Sequence, residues 1–410
     1  MAGLAAALRL SQESTEVVLY EATGHAGGRC RSFHEPALDR EIDNGNHLLL
    51  SGNSAARAYL RETGAERTFA TDIPAGFPFI DLKNGERWTV RPNAGPIPWW
   101  LLVKDRRVAA TRPTDYLSAL RLRRAEPDDT VEALLSDTGT LYRRFWEPLA
   151  VAVLNTPPDK AYAHLLWPVL LETFAKGAQA CRPMIARTGL SHSLVDPAVR
   201  TMTERGVSVR FGQRLRALDV GSARITALEF VQEKVALGPN DAVVLAVPAS
   251  AAAALLPDIS VPTRFCAIVN VHFRLDGVGK TLAPQKFLGV LGGVAEWIFI
   301  RGDIISVTVS AADSVAESSA EDIARQTWTD VTRAFDLEEA PLPRYKVVKE
   351  KRATFAQTPE SERLRPEAQS HFQNLLLAGD WTNTNIPATI EGAIRSGYRA
   401  ADLLLADFRQ

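Results

Sequence analysis

Glycines and charged residues follow the first compact apolar segment of the chain. This segment, residues 16–21, ends at Glu21, and after it come residue types that can approach phosphates: Gly24, Gly27, Gly28 and Arg29. An acidic residue at a strand end can accept hydrogen bonds from a ribose, and a glycine-rich turn about 20 residues earlier admits a pyrophosphate at a helix N-terminus. Gly3 has the spacing of the last glycine of such a turn. The alternative is an ordinary βα unit with a surface glutamate.

A second group of polar residues lies at 42–47, where the sequence is Ile-Asp-Asn-Gly-Asn-His. Before it, the paired Gly27 and Gly28 would let the main chain pass close to a flat ligand, and Arg29 could neutralise a diphosphate. The alternatives are a solvated surface arginine at position 29 and a hydrogen-bonded core histidine at position 47.

A third group closes the chain. Residues 374–380 form an apolar run that ends at Asp380, and a helix is predicted to start near Pro387 or Ala388, where proline is tolerated. Asp380 could bond a polyol, and the unpaired N–H groups of the helix start could face an electron-rich ring edge such as a flavin pyrimidine. The alternative is an amphipathic terminal helix packed on a sheet, since Ala393, Gly397 and Ala401 share one face. The two interpretations are compatible.

Three apolar runs must position these groups: residues 16–21, 241–248 and 374–380. Such runs are typical of parallel strands covered on both faces. If they share one sheet, the first domain is discontinuous, and the intervening segments build a second one. We therefore predict an α/β protein whose Rossmann-like domain (1–72, 187–260 and 367–410) is interleaved with an α+β domain (73–186 and 261–366) that has a mixed sheet and helices. A helix of period near 3.6 is expected at 320–335.

Together these residues resemble the FAD-dependent amine oxidase and phytoene desaturase superfamily, and within it the hydroxysqualene dehydroxylases. The resemblance rests on residues 42–50, residues 378–382 with 387–392, and a middle stretch that the wider superfamily does not share. That stretch is Phe-Trp-Glu-Pro-Leu at 145–149 with Leu-Asn-Thr-Pro-Pro at 154–158. The family usually has glutamine where Asn46 stands, so a direct ligand contact from this shorter amide is not expected.

The resemblance implies a bound FAD and no metal. Glu21 would hold the adenosine ribose, Asp380 the ribityl-phosphate region, and the backbone amides of Ile390 and Glu391 the flavin. Leu215, where the family usually has valine, would offer its backbone to adenine, or else it belongs to a plain strand pair. Spacing and resemblance together select these cofactor-binding residues: Gly3, Glu21, Gly27, Gly28, Arg29, Gly45, His47, Leu215, Gly379, Asp380, Ile390 and Glu391.

The implied activity is reductive loss of the hydroxyl group of hydroxysqualene, which yields squalene for hopanoid synthesis. His47 and Asp43 are candidate proton donors, the substrate is a long-chain isoprenoid, and the sequence does not identify the electron donor. A carotenoid desaturase or an amine oxidase on the same scaffold is the alternative enzyme. An inactive isoprenoid-binding scaffold is the alternative of another class.

The scaffold alternative comes from the N-terminus, because the first strand and the first two glycines of the expected loop have no counterpart. Met1 stands where the middle of that loop would be. We expect codons upstream of Met1 to specify the strand and its Gly-x-Gly turn. The other flavin motifs would have no reason to persist together in a dead fold.

Composition excludes several other classes. A net charge of -1 argues against nucleic acid as the main partner, and three separated cysteines without a CxxC pair argue against a disulfide framework or a zinc ribbon. No segment resembles a signal peptide or a membrane span, so we expect a cytoplasmic protein. Residues 95–103, with two tryptophans, precede four cations: Lys104, Arg106, Arg107 and Arg112. This segment predicts either peripheral docking on the inner face of the plasma membrane or a core strand followed by a solvated face.

Overall fold

The computed structural model describes residues 1–13, 15–276, 286–337 and 341–407. The predicted domain ranges also include residues 14, 277–285, 338–340 and 408–410, which lie outside the described residues. The helices are α1 (Ala2–Leu10), α2 (Ser54–Glu62), α3 (Ala119–Arg123), α4 (Val131–Leu135), α5 (Glu147–Leu154), α6 (Leu166–Glu172), α7 (Asp196–Glu204), α8 (Ala249–Leu255), α9 (Asp313–Glu317), α10 (Ala320–Phe335), α11 (Pro359–Arg363) and α12 (Ile390–Asp407).

The strands are mostly short. They are β1 (Val18–Tyr20), β2 (Ser32–Glu35), β3 (Arg40–Asp43), β4 (Leu49–Leu50), β5 (Phe69–Ala70), β6 (Phe77–Asp81), β7 (Glu86–Val90), β8 (Pro183–Ala186), β9 (Ser208–Arg210), β10 (Leu215–Val220), β11 (Ile225–Phe230), β12 (Lys234–Ala236), β13 (Val243–Leu245), β14 (Phe265–Arg274), β15 (Phe287–Leu291), β16 (Trp297–Arg301), β17 (Ile304–Val309), β18 (Arg344–Phe355) and β19 (Leu375–Leu377).

The largest sheet is mixed, as predicted, and has the order β18-β14-β17-β16-β15-β6-β7. Only β15 and β6 pair in parallel, and the other neighbours are antiparallel. An aliphatic core with α10 covers one face. An aromatic cluster from residues 77–181, which includes Trp100, Phe145 and Trp146, packs against Phe287 and Phe299 of the same sheet.

The three apolar runs do not share one hydrogen-bonded sheet. β1 pairs in parallel with β9, and β13 pairs in parallel with β19, in two separate ladders. No described strand lies between the two pairs to join their hydrogen bonds, so packing holds them together instead, because α1 contacts both β1 and β13. The prediction of a single sheet is wrong in this respect, although both pairs are parallel as expected.

Helix α12 packs along α1 near the parallel pairs. Gly397 allows the close approach, since a Cβ atom there would lie 2.2 Å from the carbonyl oxygen of Ala2. A salt bridge between Arg9 and Asp402 joins the other ends of the two helices, with 2.8 Å between Nε and Oδ1. This contact brings both ends of the described chain to one place.

The helix predicted at 320–335 is confirmed as α10. The C-terminal helix begins at Ile390 rather than near Pro387, because Thr389 caps it through a bond from the Gly392 N–H. The proposed core strand at 95–103 is wrong, since 3-10 turns occupy Trp99–Leu102 and Lys104–Arg106. The residues that build the large sheet come from 77–90 and 265–355, while the division into two domains stays a prediction.

No helix among the described residues is long and apolar enough to span a membrane.

Candidate functional site

The loop after β1 meets the end of β19 through an ion pair. Arg29 Nη2 lies 2.7 Å from Oδ1 of Asp380, and Arg29 also donates to the carbonyl oxygen of Ala353. Asp380 is buried, and its charge raises the pKa of Arg29. The two predicted cofactor residues, 351 positions apart, therefore lie side by side.

The start of α1 lies at the same place. Burial lowers the pKa of the Met1 amino group, and the charges of Cys30, Arg29, Asp380 and Glu21 also act on it. The predicted ribose residue, the Arg29–Asp380 pair and the N-terminal end of a helix are thus within electrostatic reach of one point. This grouping is the geometry expected for an elongated anionic ligand.

Glu21 has hydrogen-bonding capacity to spare. Its Oε1 accepts from the amide and the hydroxyl of Thr23, at 2.8 and 2.9 Å, while its Oε2 accepts from no described residue. The amide of Gln213 donates to the Glu21 carbonyl oxygen at 2.9 Å, which brings Leu215 at the start of β10 near the same strand end. The side chain of Leu215 packs against the apolar cluster of β11 and β13. Its backbone contact with adenine stays a prediction.

The predicted glycines have different roles. Gly27, with a φ of 100°, is required because a Cβ atom would lie 2.4 Å from the Cys30 carbonyl oxygen. Gly28, with a φ of 60°, has no heavy atom within 4 Å of the Cβ position, so its backbone faces open space. Gly3 lets α1 approach β13, where a Cβ atom would be 3.2 Å from that of Ala246.

Gly379 and the start of α12 complete this side. A Cβ atom on Gly379 would lie 2.3 Å from the indole nitrogen of Trp381, and its amide donates to Ser396. The amides of Ile390 and Glu391 belong to the first helical turn, where no acceptor of the same helix is in reach.

The Glu391 side chain has a different task. Its two oxygens accept from the amides of Ala55 and Ala56 at 3.0 and 2.8 Å, and Oε1 also accepts from Arg395. The carboxylate therefore caps helix α2, and only the backbone of Glu391 remains for a ligand. The predicted flavin contact of Ile390 and Glu391 is a backbone contact and stays a prediction.

The 42–47 segment is hydrogen-bonded to the large sheet. The Asn46 amide nitrogen donates to Thr308 Oγ1 at 2.9 Å, and Thr308 donates to Asn270 Oδ1 at 2.9 Å. Asn270 also lies 3.3 Å from the Cβ position of Gly45. The Asn46 side chain thus anchors this segment to β14 and β17.

His47 folds back over this segment, because its Nε2 lies 3.8 Å from the Cβ position of Gly45. Burial lowers the pKa of His47, while the charges of Asp43 and Arg29 act on it in opposite directions. The imidazole is therefore neutral at physiological pH and lies within electrostatic reach of Arg29. Gly45, His47 and the Arg29–Asp380 pair belong to one neighbourhood.

Asp43, the other candidate proton donor, has both oxygens engaged. Oδ1 accepts from Ser32 at 2.6 Å and from the Leu190 amide at 2.9 Å, and Oδ2 accepts from Arg301 at 2.6 Å. This buried carboxylate joins β3 to β16 and to the segment before α7. Its part in proton donation stays a prediction, and its contacts are those of a positioning group.

Glu296 is a chemical group that the motif search missed. Burial raises the pKa of this carboxyl group to about 7, and the nearby charge of Glu147 adds to the effect. Its Oε2 accepts from the Ser310 amide at 2.7 Å, and its own amide donates to the Thr308 carbonyl oxygen at 3.2 Å. Glu296 and Asn46 therefore both bond Thr308, Glu296 through the backbone and Asn46 through the side chain. A lone carboxylate at the start of an otherwise apolar strand was the available signal.

Gln357, also missed, ties the discriminating motif to the start of α12. It is fully buried, its Nε2 donates to the Leu154 carbonyl oxygen at 2.6 Å, and its Oε1 accepts from the Ala388 amide at 2.8 Å. Asn155, with a φ of 46°, donates to the Cys266 carbonyl oxygen and to Thr354. The 154–158 stretch is therefore a structural junction between the large sheet and the loop before α12.

A surface concavity also lies away from the predicted site residues. A surface groove of about 770 Å³ lies beside α2 and β8, and none of the predicted site residues lines it. Its lining includes four exposed arginines: Arg57, Arg67, Arg182 and Arg187. Across the described part of the chain, no three His, Cys, Asp or Glu side chains are grouped to hold a metal ion.

Comparison with known proteins agrees with this geometry. The profile of the flavin containing amine oxidoreductase family matches residues 1–405. The hydroxysqualene dehydroxylases of Sinorhizobium fredii and Zymomonas mobilis are 45% and 42% identical to the chain, each over 99% of it and 97% of their own length. A solved structure of cyclohexylamine oxidase from Brevibacterium oxydans superposes with a TM-score of 0.72 at 13% identity, over 100% of this chain and 97% of that one. This likeness confirms the fold class.

Proposed function

The chain belongs to the flavin-containing amine oxidoreductases, in the hydroxysqualene dehydroxylase family, and from this premise we propose that it converts hydroxysqualene to squalene by reductive dehydroxylation. The observation that carries the proposal is the full-length similarity to these dehydroxylases. The 154–158 stretch, which contributes to the resemblance, is part of the junction built by Asn155 and Gln357.

The cofactor that fits the residues around the Arg29–Asp380 pair is FAD. The unengaged Oε2 of Glu21 suits a ribose hydroxyl, the open backbone at Gly28 suits a diphosphate, and the first-turn amides of α12 suit the electron-rich edge of a flavin ring. Arg29 supplies the opposite charge for a diphosphate. When bound and reduced, FAD would supply a hydride, and a separate electron donor would have to reduce it.

The reaction also needs a proton, because the hydroxyl oxygen leaves as water while the carbon takes up the hydride. His47 and Asp43 remain candidate donors, and Glu296 joins them because it holds a proton near neutral pH. We favour Glu296, since the oxygens of Asp43 are engaged and the imidazole of His47 is neutral. The aromatic cluster of the substrate half would bury the hydrocarbon, at about 0.8 kcal/mol per methylene.

Turnover of a substrate panel tests the proposal. Protein purified with FAD, given a chemical reductant, is expected to convert hydroxysqualene to squalene and to leave phytoene and amines unchanged. Chromatography of the cofactor released by heat distinguishes FAD from other flavins. Turnover of phytoene or an amine instead would favour the alternative enzymes, and a colourless, inactive protein would favour a binding scaffold.

Removal of the Arg29 partner tests the cofactor site. In Asp380→Asn the guanidinium loses its nearest buried charge, and the residue that would bond the ribityl chain is changed, so we expect flavin affinity to fall about tenfold or more. Asp303→Asn is the matched control, because Asp303 also pairs with an arginine, Arg40, at 2.8 Å. Equal flavin absorbance per protein in both variants would contradict the assignment.

A further inference from the structure

An exposed apolar surface lies on the segment between β7 and α4. Among the described residues, most of the strongly exposed large apolar side chains are concentrated in this segment, and we call them the 97–120 patch: Ile97 at 75% exposure, Leu102 at 72%, Leu117 at 61%, Leu120 at 55%, Trp99 at 46% and Val103 at 39%. Large contiguous apolar surfaces of this kind mark interaction sites on proteins.

The patch is held on a firmly packed base. Trp100 is buried and meets the Tyr116 ring edge-on at 5.5 Å, so it belongs to the core and not to an interface as the sequence pattern suggested. The Tyr116 hydroxyl accepts from the Val108 amide at 3.0 Å, which fixes the turns against each other. Trp99 and Leu117 are the exposed sequence neighbours of the buried Trp100 and Tyr116, so they point away from this core.

Cations are concentrated in the same segment as the patch. Residues 97–124 contain seven lysines and arginines and only two aspartates, within a chain whose net charge is -1. Arg106 lies over the Trp99 ring at 4.9 Å, and Lys104 and Arg112 are exposed. Exposed apolar side chains with cations in the same segment complement an anionic lipid surface, where the apolar groups enter the headgroup region and the cations meet lipid charges.

We propose that the 97–120 patch docks the protein peripherally on an anionic lipid bilayer. The base of the patch supports this, because Trp100 contacts Phe174, Phe174 contacts Phe145, and Leu48 and Leu50 beside His47 pack on the same aromatic cluster. A lipid-phase substrate that entered at the patch would therefore meet continuous apolar packing on the way to His47. The docking itself does not depend on which substrate the enzyme takes.

Cosedimentation with vesicles tests the docking. Wild-type protein is expected to sediment with phosphatidylcholine vesicles that contain phosphatidylglycerol, less with phosphatidylcholine alone, and less at high salt. Ile97→Ser with Leu102→Ser is expected to lower the vesicle partition coefficient about tenfold or more, since two exposed side chains can no longer insert. Val220→Ser with Val231→Ser, at 55% and 56% exposure on another surface, is the matched control and should bind as wild type.

The outcomes separate docking from the proposed function. Squalene formation in detergent without vesicle binding overturns the docking and leaves the function intact, whereas vesicle binding without squalene formation does the reverse. Equal partition of the patch variant and wild type also overturns the docking. A third result would also overturn the docking: wild-type protein is a dimer in analytical ultracentrifugation, the patch variant is a monomer, and neither binds vesicles. A second copy of the chain would then cover this surface.

Discussion

The carboxylates of the candidate site differ in what their oxygen atoms contact, and these contacts distinguish their roles. Asp380 pairs with the guanidinium of Arg29, whereas Glu391 caps helix α2 and Asp43 joins three segments. Glu296 differs from all three in charge, because each of the others pairs with an arginine while Glu296 forms no ion pair with a described residue and accepts from the Ser310 amide. Burial without a cation favours the neutral acid, which is the form that can donate a proton.

Replacement of Glu296 should change how stability depends on pH. Its pKa is raised from the ordinary 4.5 to about 7, so between these values the native protein holds a proton that the unfolded chain has released. Wild-type stability therefore falls as pH rises from about 4.5 to 7 and stays reduced above 7. Glu296→Gln lacks this loss, so relative to wild type it should gain on the order of 2–3 kcal/mol between pH 4.5 and 8. Urea unfolding at the two pH values measures the difference.

Glu360→Gln, which changes an exposed glutamate, should show no such gain. A stability difference between Glu296→Gln and wild type that does not vary with pH would contradict the assignment. The same variant tests proton donation, since loss of a general acid lowers turnover about 100-fold or more while flavin content stays unchanged. His47→Gln is the comparison, and normal turnover in that variant would remove His47 from the proton-transfer step.

Among the secondary-structure elements, α12 combines several tasks. The first-turn amides have no acceptor within the helix, Glu391 caps α2, and α1 packs closely against Gly397. The cap and the close crossing fix the direction of the helix, so its N-terminus cannot shift without breaking contacts with two other helices. The predicted close-packing face and the predicted ligand-facing end therefore belong to one rigid element.

Gly397→Ala tests this crossing. Alanine favours the helix by about 1 kcal/mol, but its Cβ would lie 2.2 Å from a backbone oxygen that cannot move away freely. The overpacking cost of about 1–3 kcal/mol should exceed this gain in helix propensity, because the Cβ would meet the Ala2 main chain and not a flexible side chain. We expect a net loss of stability in urea unfolding. Arg399→Ala, at an exposed position of the same helix, should be close to neutral, and a stabilised Gly397→Ala would refute the tight crossing.

Over the whole molecule, polar side chains connect the candidate cofactor-binding segments to the large sheet. Asn46 and Asn270 meet through Thr308, Asp43 receives Arg301, and Gln357 bridges residue 154 and the loop before α12. Buried polar contacts are strong only when their geometry is exact, so they fix how the two parts sit against each other. The position of any substrate relative to a flavin would depend on these few bonds.

Much of the fold was predictable because it depends on local patterns. The helix at 320–335 follows from its 3.6-residue period, and the apolar runs become short strands that pair in parallel, as expected. Which strands pair was less predictable, because two apolar runs that are distant in sequence join one sheet only where a strand connects them through hydrogen bonds. Of the two interpretations of the 95–103 segment, the core strand is wrong, because 3-10 turns occupy Trp99–Leu102 and Lys104–Arg106 and leave Ile97, Trp99 and Leu102 exposed.

The sequence by itself determined the fold class and the family and nominated the candidate cofactor-binding residues, because motif residue types and their spacing are local properties of the chain. Only the tertiary structure decided which carboxylates are already engaged, that Glu296 keeps its proton near neutral pH, and that Trp100 is core while Trp99 is surface. The physical reason is that burial, hydrogen-bond partners and local charge are set by segments that only the fold brings together, such as Arg29 and Asp380, which are 351 positions apart, and no short pattern records them.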